Sequence, residues 1–449
     1  MVIQAYDSED KLRPGVYIKT VVEPSNNVTT TGKGATAIGL QMDWGDEGKL
    51  IECNQTDYFA GNCKSQLGYS LSNTEKLLPF TLALSNCYKA YFYRLNQGGA
   101  KATIDVGDVT FTAKYTGIVG NNIKVVIAAD TPSTGKYTFS IYLDSVKEES
   151  YILSKVDDFK EITSKWIDIT VADGATSITA TAGATLTGGT NGTVGATALA
   201  DFFDSLNYTH IDTIAINDAT TESQKTLADW AVEQNANGKE FQAVVIDQLL
   251  DNESIISTYN QGYKTSTYEV TPELLTILIA GARAGCQLNA SLAGKTISDA
   301  TTITNPVTEN AQIELLLKSG YFLLTYDIDG TVCIEEDQNS LVTYNDNKPE
   351  DMKYNQVVAV KSFINYQTAM VFRNYIGKFT NIDTVRKNIK SDIITTVYDY
   401  LLTLGAIEEY DSDSDITIEK KDNRSALVNE FFQVAQTLTK LFVINHLKF

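Results

Sequence analysis

Apolar residues recur along this chain at two periods, and the places where the period changes mark out its parts. Between residues 99 and 193 the period is two. Val109, Phe111, Ala113 and Tyr115 alternate with Thr110, Thr112 and Lys114, and Tyr137, Phe139, Ile141 and Leu143 repeat the pattern beyond a turn at 133–136. Ile123, Val125 and Ile127, then Ile167, Ile169 and Val171, add two more runs. Short alternating strands separated by turn residues predict an all-β sandwich or barrel. The stretch 172–200 carries Asp173 as its only charge and is rich in Gly, Thr and Ala, which reads as a closing strand and a domain boundary.

From 194 to 309 the pattern predicts alternating strands and helices. Apolar runs at 211–216 and 241–246 enclose a helix over 222–236 with Gly238 as its stop. Thr271-Pro272-Glu273 opens another helix, with Thr as N-cap and Pro in the first position, continuing through Leu274, Leu275, Leu278 and Ile279. This predicts an α/β unit with an at least partly parallel sheet. Upstream, 35–40 and 90–95 read as strands, 43–48 as a loop, and 74–89 as a helix interrupted at Pro79. Downstream, 321–326 and 331–335 flank Asp327, Ile328, Asp329 and Gly330, a hairpin signal. A helix over 358–376 stops at Gly377. A second runs from Asn381 to Gly405, with Val385, Ile389, Ile393 and Val397 as its buried stripe. The segments 426–434 and 440–449 read as strands.

Both chain ends carry strand patterns. Residues 1–13 are polar and patternless, but Val16 and Ile18 then alternate with Tyr17 and Lys19. Leu441, Val443, Leu447 and Phe449 alternate with Phe442, Ile444, His446 and Lys448. A strand left alone exposes unpaired backbone groups and apolar side chains, so both ends are expected to pair with neighbouring subunits.

A length of 449 residues suggests about three domains. Lys plus Arg number 36 and Asp plus Glu 56, a net charge of 36 − 56 = −20, which argues against nucleic-acid binding. The acidic start has no apolar run of the secretory kind, and the strongest internal apolar run, 274–282, is far too short to span a bilayer. The five cysteines, Cys53, Cys63, Cys87, Cys286 and Cys333, contain no CxxC and predict reduced, buried thiols. Asp411, Asp413 and Asp415 resemble the start of an EF-hand loop, but Ile416 and Asp422 stand where Gly and Glu are required, so a solvated acidic loop is expected. Gly32-Lys33-Gly34 lacks the Ser or Thr and the upstream Gly of a phosphate loop. His210 and His446 are the only histidines and no GxSxG occurs, which leaves little for a hydrolase.

Several motifs in fixed order resemble the contractile tail sheath proteins of phages and phage-tail-like particles. They are Arg13-Pro14-Gly15-Val16-Tyr17-Ile18; the strand end from Gly39 to Gly45; Leu186-Thr187-Gly188-Gly189-Thr190-Asn191-Gly192; and Gly377-Lys378-Phe379-Thr380-Asn381 with Arg386 and Leu404-Gly405-Ala406-Ile407. The resemblance implies a multidomain α+β protein. Its expected parts are an N-terminal arm (1–23), an inner assembly domain (24–98 with 310–425), an inserted β-sandwich (99–193), a subtilisin-like α/β middle domain without a catalytic triad (194–309), and a C-terminal arm (426–449). It further implies a structural subunit, not an enzyme and without cofactor or metal. That subunit polymerises around a tail tube and contracts to drive the tube through a target envelope. The implied partners are further copies of the chain, the tube protein, and baseplate and terminator proteins, with neither nucleic acid nor membrane insertion, in a particle assembled in the bacterial cytoplasm. Strand exchange would involve Val16, Tyr17, Ile18, Lys19, Leu441, Val443, Leu447 and Phe449; Arg386, Lys387 and Lys390 would face the tube. The alternatives are a surface array or adhesin protein, or a diverged hydrolase.

Overall fold

Seven strands form the central sheet, in the order Tyr321–Phe322, Ile255–Thr258, Gln242–Ile246, Thr213–Ile216, Ala35–Leu40, Lys89–Arg94 and Leu50–Asn54. All neighbours pair in parallel except the last, an antiparallel edge strand. The computed structural model describes residues 34–129, 135–439 and 441, together with the backbone of two strands, Val2–Ala5 and Gly15–Ile18. The central strands are short continuous apolar runs because both faces are covered. On one face Ile38, Ala215 and Val244 meet Phe80 and Leu84 of the helix Thr74–Leu84 and Leu275, Ile279 and Ala280 of the helix Pro272–Gly285. On the other, Ala37, Ile214 and Val245 meet Phe202, Leu227 and Ala231. The two helices of the first face touch backbone to backbone: a Cβ on Gly281 would lie 2.1 Å from the Ala83 carbonyl oxygen.

This sheet corrects the expected domain division. The strands at 35–40, 50–54 and 89–94 were grouped with an inner assembly domain, yet they hydrogen-bond within the middle domain's own sheet. The predicted hairpin, Leu324–Tyr326 with Val332–Ile334, packs Leu324, Val332 and Ile334 into the same core. Distant segments join here because each supplies a strand whose two faces can be buried only between these helices. Two local expectations also shift. Pro79 lies inside a helix that stops at Leu84, since 85–88 turn the chain into the strand Lys89–Arg94. Thr271 precedes the helix as expected, but its hydroxyl caps nothing and is buried without a hydrogen-bond partner.

The alternating region is a sandwich of a four-stranded and a three-stranded antiparallel sheet. Phe111 and Phe139 stack in its core, with Phe159 edge-on to both. That core is not self-contained, because it also encloses Trp44, which belongs to the loop after the Ala35–Leu40 strand.

The C-terminal unit packs the helix Asn355–Arg373 against Asp383–Ile393, which continues through a π-helical turn, Ile394–Tyr398, into Asp399–Leu404. Gly405, at φ 72°, stops it as predicted. Ile389, Ile393 and Val397 are buried against Val360 and Ile364, and Val385 packs at the edge of that cluster. The hairpin Ile416–Lys420 with Ala426–Glu430 lies alongside. The strand expected over 426–434 therefore ends at Glu430, and Val434 makes only a lone bridge to Ile407. At the other end, Gly15–Ile18 is a strand as predicted, but Val2–Ala5, read as patternless, is its parallel partner.

Candidate functional site: a joint and a seam

Open parallel sheets place ligand sites outside the carboxyl ends of their strands, where the connections diverge. Here that point lies between Ala35–Leu40 and Thr213–Ile216, and the exits of two of these strands are spent on holding the sandwich. Asn96, which follows Lys89–Arg94, accepts from the Met42 amide at 2.7 Å and donates to the carbonyls of Met42 and Asn191 at 2.9 and 2.7 Å. Arg94 is 0% exposed. Its guanidinium donates to the carbonyl oxygens of Gly45 and Thr116 at 3.2 and 2.9 Å and to that of Asn191 at 2.8 Å. Asp43 accepts from the Tyr69 hydroxyl at 2.6 Å and the Asn191 amide at 2.7 Å, and pairs with Lys76 at 2.9 Å. Burial pushes the Asp43 carboxyl up, but hydrogen bonds from Tyr69 and Lys76 outweigh it and hold the group below its ordinary range. Trp44 completes the joint, edge-on to Tyr115 at 5.3 Å and beside Trp166 at 6.1 Å. Sequence reading took 43–48 as an ordinary loop; a Trp in a loop between two strands was the available signal.

A second site lies at the opposite, amino-terminal edge of the sheet. A cavity of about 540 Å3 separates the strand starts around Ala35, Thr213 and Gln242 from the 355–373 helix. His210 lines it, stacked on Tyr366 with ring centroids 3.8 Å apart and its Nε2 4.0 Å from Asp212. Asp212 in turn accepts from the Ala35 amide at 2.8 Å. His210 is thus a wall between the middle and C-terminal units. His446 lies outside the described residues.

Both chain ends enter the described structure at this seam. Gly34, at φ 100°, packs against the last turn of the 272–285 helix so closely that a Cβ would lie 2.0 Å from the Ala284 carbonyl oxygen. The C-terminal stretch is held by Gln356, whose amide donates to the carbonyls of Leu288 and Ala435 at 3.1 and 3.0 Å and accepts from the Thr437 amide at 3.1 Å. The segment 284–288 therefore meets Gly34 directly and is joined to the C-terminal stretch through Gln356. Nothing in the local sequence marks Gln356, since one buried amide within a helix has no periodic signature.

The predicted arm residues fall partly beyond this. Val16, Tyr17 and Ile18 belong to the Gly15–Ile18 strand. Lys19, Val443, Leu447 and Phe449 lie outside the described residues, and Leu441 is exposed. The three predicted tube-facing cations do not form an open patch. Arg386 folds back on Asn381, donating to its side-chain oxygen at 2.8 Å, and approaches Asp383 at 3.6 Å. Lys387 pairs with Asp383 at 2.9 Å, and Lys390 reaches Asp413 at 3.9 Å. Of the three, Lys387 alone keeps most of its side chain in solvent, at 74% exposed against 13% and 21% for Arg386 and Lys390. The loop of Asp411, Asp413 and Asp415 spends carboxylates on its own turn: Asp415 accepts from the Asp411 amide at 2.8 Å, and Asp411 from the Asp413 amide at 2.9 Å. Among the described residues no group of three metal-ligating side chains occurs, and no helix is long and apolar enough to cross a membrane.

A body with a sandwich bolted to one end of its sheet and both chain termini rooted at the other defines an assembly subunit. Known proteins agree. Family models match the chain in order: the phage tail sheath β-sandwich domain over 97–191, the central domain over 192–340 and the C-terminal domain over 347–447. The phage-like element PBSX protein XkdK of Bacillus subtilis strain 168 is 26% identical over 444 residues, 94% of either chain. A sheath tail protein of Desulfitobacterium hafniense is 27% identical with a TM-score of 0.77, covering 96% of this chain and 99% of that one. One from Listeria innocua is 25% identical with a TM-score of 0.80, covering 90% and 93%. The anti-feeding prophage sheath in its contracted state shares the fold at 12% identity and a TM-score of 0.54, over 97% and 98% of the two chains. The chain belongs to the phage tail sheath family and is a structural subunit of a contractile sheath.

Proposed function

We propose that this subunit polymerises around a tail tube through its two chain ends and shortens by repacking, driving the tube through a target envelope. The observation that carries the linkage is the common seam: Gly34 packs on Ala284, and the 435–437 stretch is held by Gln356, which also binds Leu288, so strands lent to neighbours would pull on one region. The candidate receiving edge is a hairpin of the C-terminal unit. The hairpin Ile416–Lys420 with Ala426–Glu430 is a two-stranded sheet among the described residues, and Phe372, Ile376, Phe379 and Ile382 are exposed beside it. A pairing strand would satisfy an edge and cover that face. Contraction then draws on the difference between two packings of the same subunits and needs no nucleotide.

In this reading the middle domain is subtilisin-like in fold without its chemistry, and purified protein shows no peptidase or esterase turnover that His210→Ala abolishes. The tube protein binds the C-terminal unit, baseplate and terminator proteins bind the ends of the polymer, and assembly precedes release from the bacterial cytoplasm. Removing residues 1–23 tests the linkage. The truncated chain is expected to stay folded, by circular dichroism and gel filtration, yet to form no tubes in negative-stain microscopy. Full-length tubes from the truncated chain would show that the N-terminal end is not the link; an unfolded product would make it an intramolecular core strand.

A further inference from the structure

The hairpin Ile416–Lys420 with Ala426–Glu430 carries opposite charge at its two ends. One end is the turn 421–425. Asn381 donates to the carbonyls of Asp422 and Ser425 there, both at 2.9 Å, and so lays the loop 377–382 against that turn. The combined tip carries Lys378, Lys420, Lys421 and Arg424, all exposed, and among the described residues none of the four makes an ion pair. Of the carboxylates beside them, Asp422 accepts from the Arg424 and Ser425 amides at 2.6 and 2.8 Å, Asp383 is taken by Arg386 and Lys387, and Glu419 is exposed. Phe379, Ile376 and Ile382 are exposed on and beside the same loop. The other end is the segment 408–415, which runs into Ile416. It holds Glu408, Glu409, Asp411, Asp413 and Asp415, and among the described residues its one ion pair is with Lys390, 3.9 Å from an Asp413 that stays 97% exposed. Phe431, whose amide donates to the Asp415 carbonyl at 2.9 Å, is exposed beside it. The strand between the ends is five residues long. It holds them roughly 17 Å apart, beyond the ~8 Å over which exposed charges act at physiological salt, so one copy does not neutralise itself.

We propose that this hairpin joins copies of the chain head to tail, the basic tip of one copy docking on the 408–415 segment of a second copy. Charge complementarity selects the occupant: the tip is a basic patch on a chain of net charge −20, and the strongest acidic run in the C-terminal unit lies at the hairpin's own far end. The same contact brings Phe379 of one copy towards Phe431 of the next, an apolar centre within a charged rim. Each contact leaves one basic tip and one acidic segment free at the ends of the series, so it propagates; a heterologous contact of this kind closes into a ring or continues as a helix. Because its charges are exposed, the contact is reversible and weakened by salt, which main-chain strand pairing is not. The strand edge offered to a neighbour's arm lies between the two ends and stays free. That the series runs along a sheath rests on the function proposed above; the pairing of tip and segment does not.

The test uses the full chain and two triple variants, one reversing the tip (Lys420→Glu, Lys421→Glu, Arg424→Glu) and one reversing the segment (Glu408→Lys, Glu409→Lys, Asp413→Lys). By sedimentation velocity at low salt, the wild type is expected to form species larger than dimers that dissociate as salt rises. Each variant alone should keep its circular-dichroism spectrum and associate about tenfold or more weakly, because like charges then meet. An equimolar mixture of the two should recover the wild-type distribution, since each reversed tip then faces a reversed segment. Lys147→Glu with Lys155→Glu and Lys165→Glu changes the net charge as much as the tip variant does, on exposed positions of the sandwich, and should leave association unchanged. A wild type that stays monomeric or stops at dimers would overturn the proposal. So would variants that associate like the wild type, a mixture that does not recover, or an equal loss from the sandwich substitutions. Should a triple variant fail to fold, Lys421→Glu and Glu409→Lys, alone and mixed, decide in the same way. If the mixture recovers while chains lacking 1–23 still form tubes, the linkage reading fails and this contact stands. If those chains form no tubes and the charge reversals change nothing, the linkage stands and this contact fails.

Discussion

At the residue scale, the joint depends on one buried cation. Arg94 satisfies three carbonyl groups drawn from the 43–48 loop and from two parts of the sandwich, so no single local segment explains it. Replacing it with Met keeps the bulk but strips the Gly45 and Thr116 carbonyls of this donor and leaves the Asn191 carbonyl to Asn96 alone. Arg94→Met is expected to cost about 3–5 kcal/mol in chemical denaturation, the range for breaking a buried charged network. A loss below about 1 kcal/mol would mean that water or another donor takes over. Asp43 gives the same joint a pH dependence. Its folded carboxyl titrates below the ordinary value of 3.8, so its contribution is present in full above that value and is lost as pH falls through the lower folded one. Asp43→Asn should therefore be less stable than wild type at neutral pH, with the gap closing below pH 3.8. A gap that is constant with pH would show that the carboxylate charge is not what matters there.

At the scale of elements, the sandwich was legible because a half-buried strand writes its two faces into alternate residues. The family's sandwich domain matches residues 97–191. Its independence was not legible, since Trp44 lies more than fifty residues upstream of the first alternating run and carries no periodicity. Simple deletion of 99–193 would uncover Trp44, which is 0% exposed, and leave Arg94 without the Thr116 and Asn191 carbonyls. Such a deletion is expected to give an aggregating product, whereas the same deletion with Trp44→Ser and Arg94→Ser stays soluble by gel filtration. Equal solubility of the two would mean that the joint contributes nothing to the body. The long C-terminal helix shows the reverse case: Ile389, Ile393 and Val397 were read correctly as buried at a spacing of four, and the π-helical turn at 394–398 was silent because it leaves that spacing intact.

At the scale of the whole molecule, surface charge looks different once partners are visible. The sequence suggested a basic face of Arg386, Lys387 and Lys390 within a strongly acidic chain. Folding spends Arg386 on Asn381 and Asp383, which turns a candidate contact into a brace for the start of its helix. Lys387 is what remains of that candidate face. Lys387→Glu should weaken co-sedimentation with tubes at low salt while leaving the melting temperature within about a degree, because exposed pairs contribute little to stability. Unchanged co-sedimentation across a salt series would remove this helix face from the tube contact. Arg386→Glu is the poorer probe, since it would also disturb the turn at Asn381.

What the sequence determined by itself was local: which stretches are strands or helices, where Gly238 and Gly405 end helices, and which motifs stand in the order of a sheath protein; the helix expected to run to Gly377 ends earlier, at Arg373. Such local features follow from side-chain periodicity and backbone freedom, which act over a few residues. Tertiary structure alone decided that 35–40, 50–54 and 89–94 complete the middle domain's sheet, that Trp44 and Arg94 bolt the sandwich to it, and that Gly34 and Gln356 bring both chain ends to the segment 284–288. Each of these is a contact between segments far apart along the chain, made because buried apolar faces and buried carbonyls must find partners wherever the fold provides them. No short window of sequence contains both sides of such a pair.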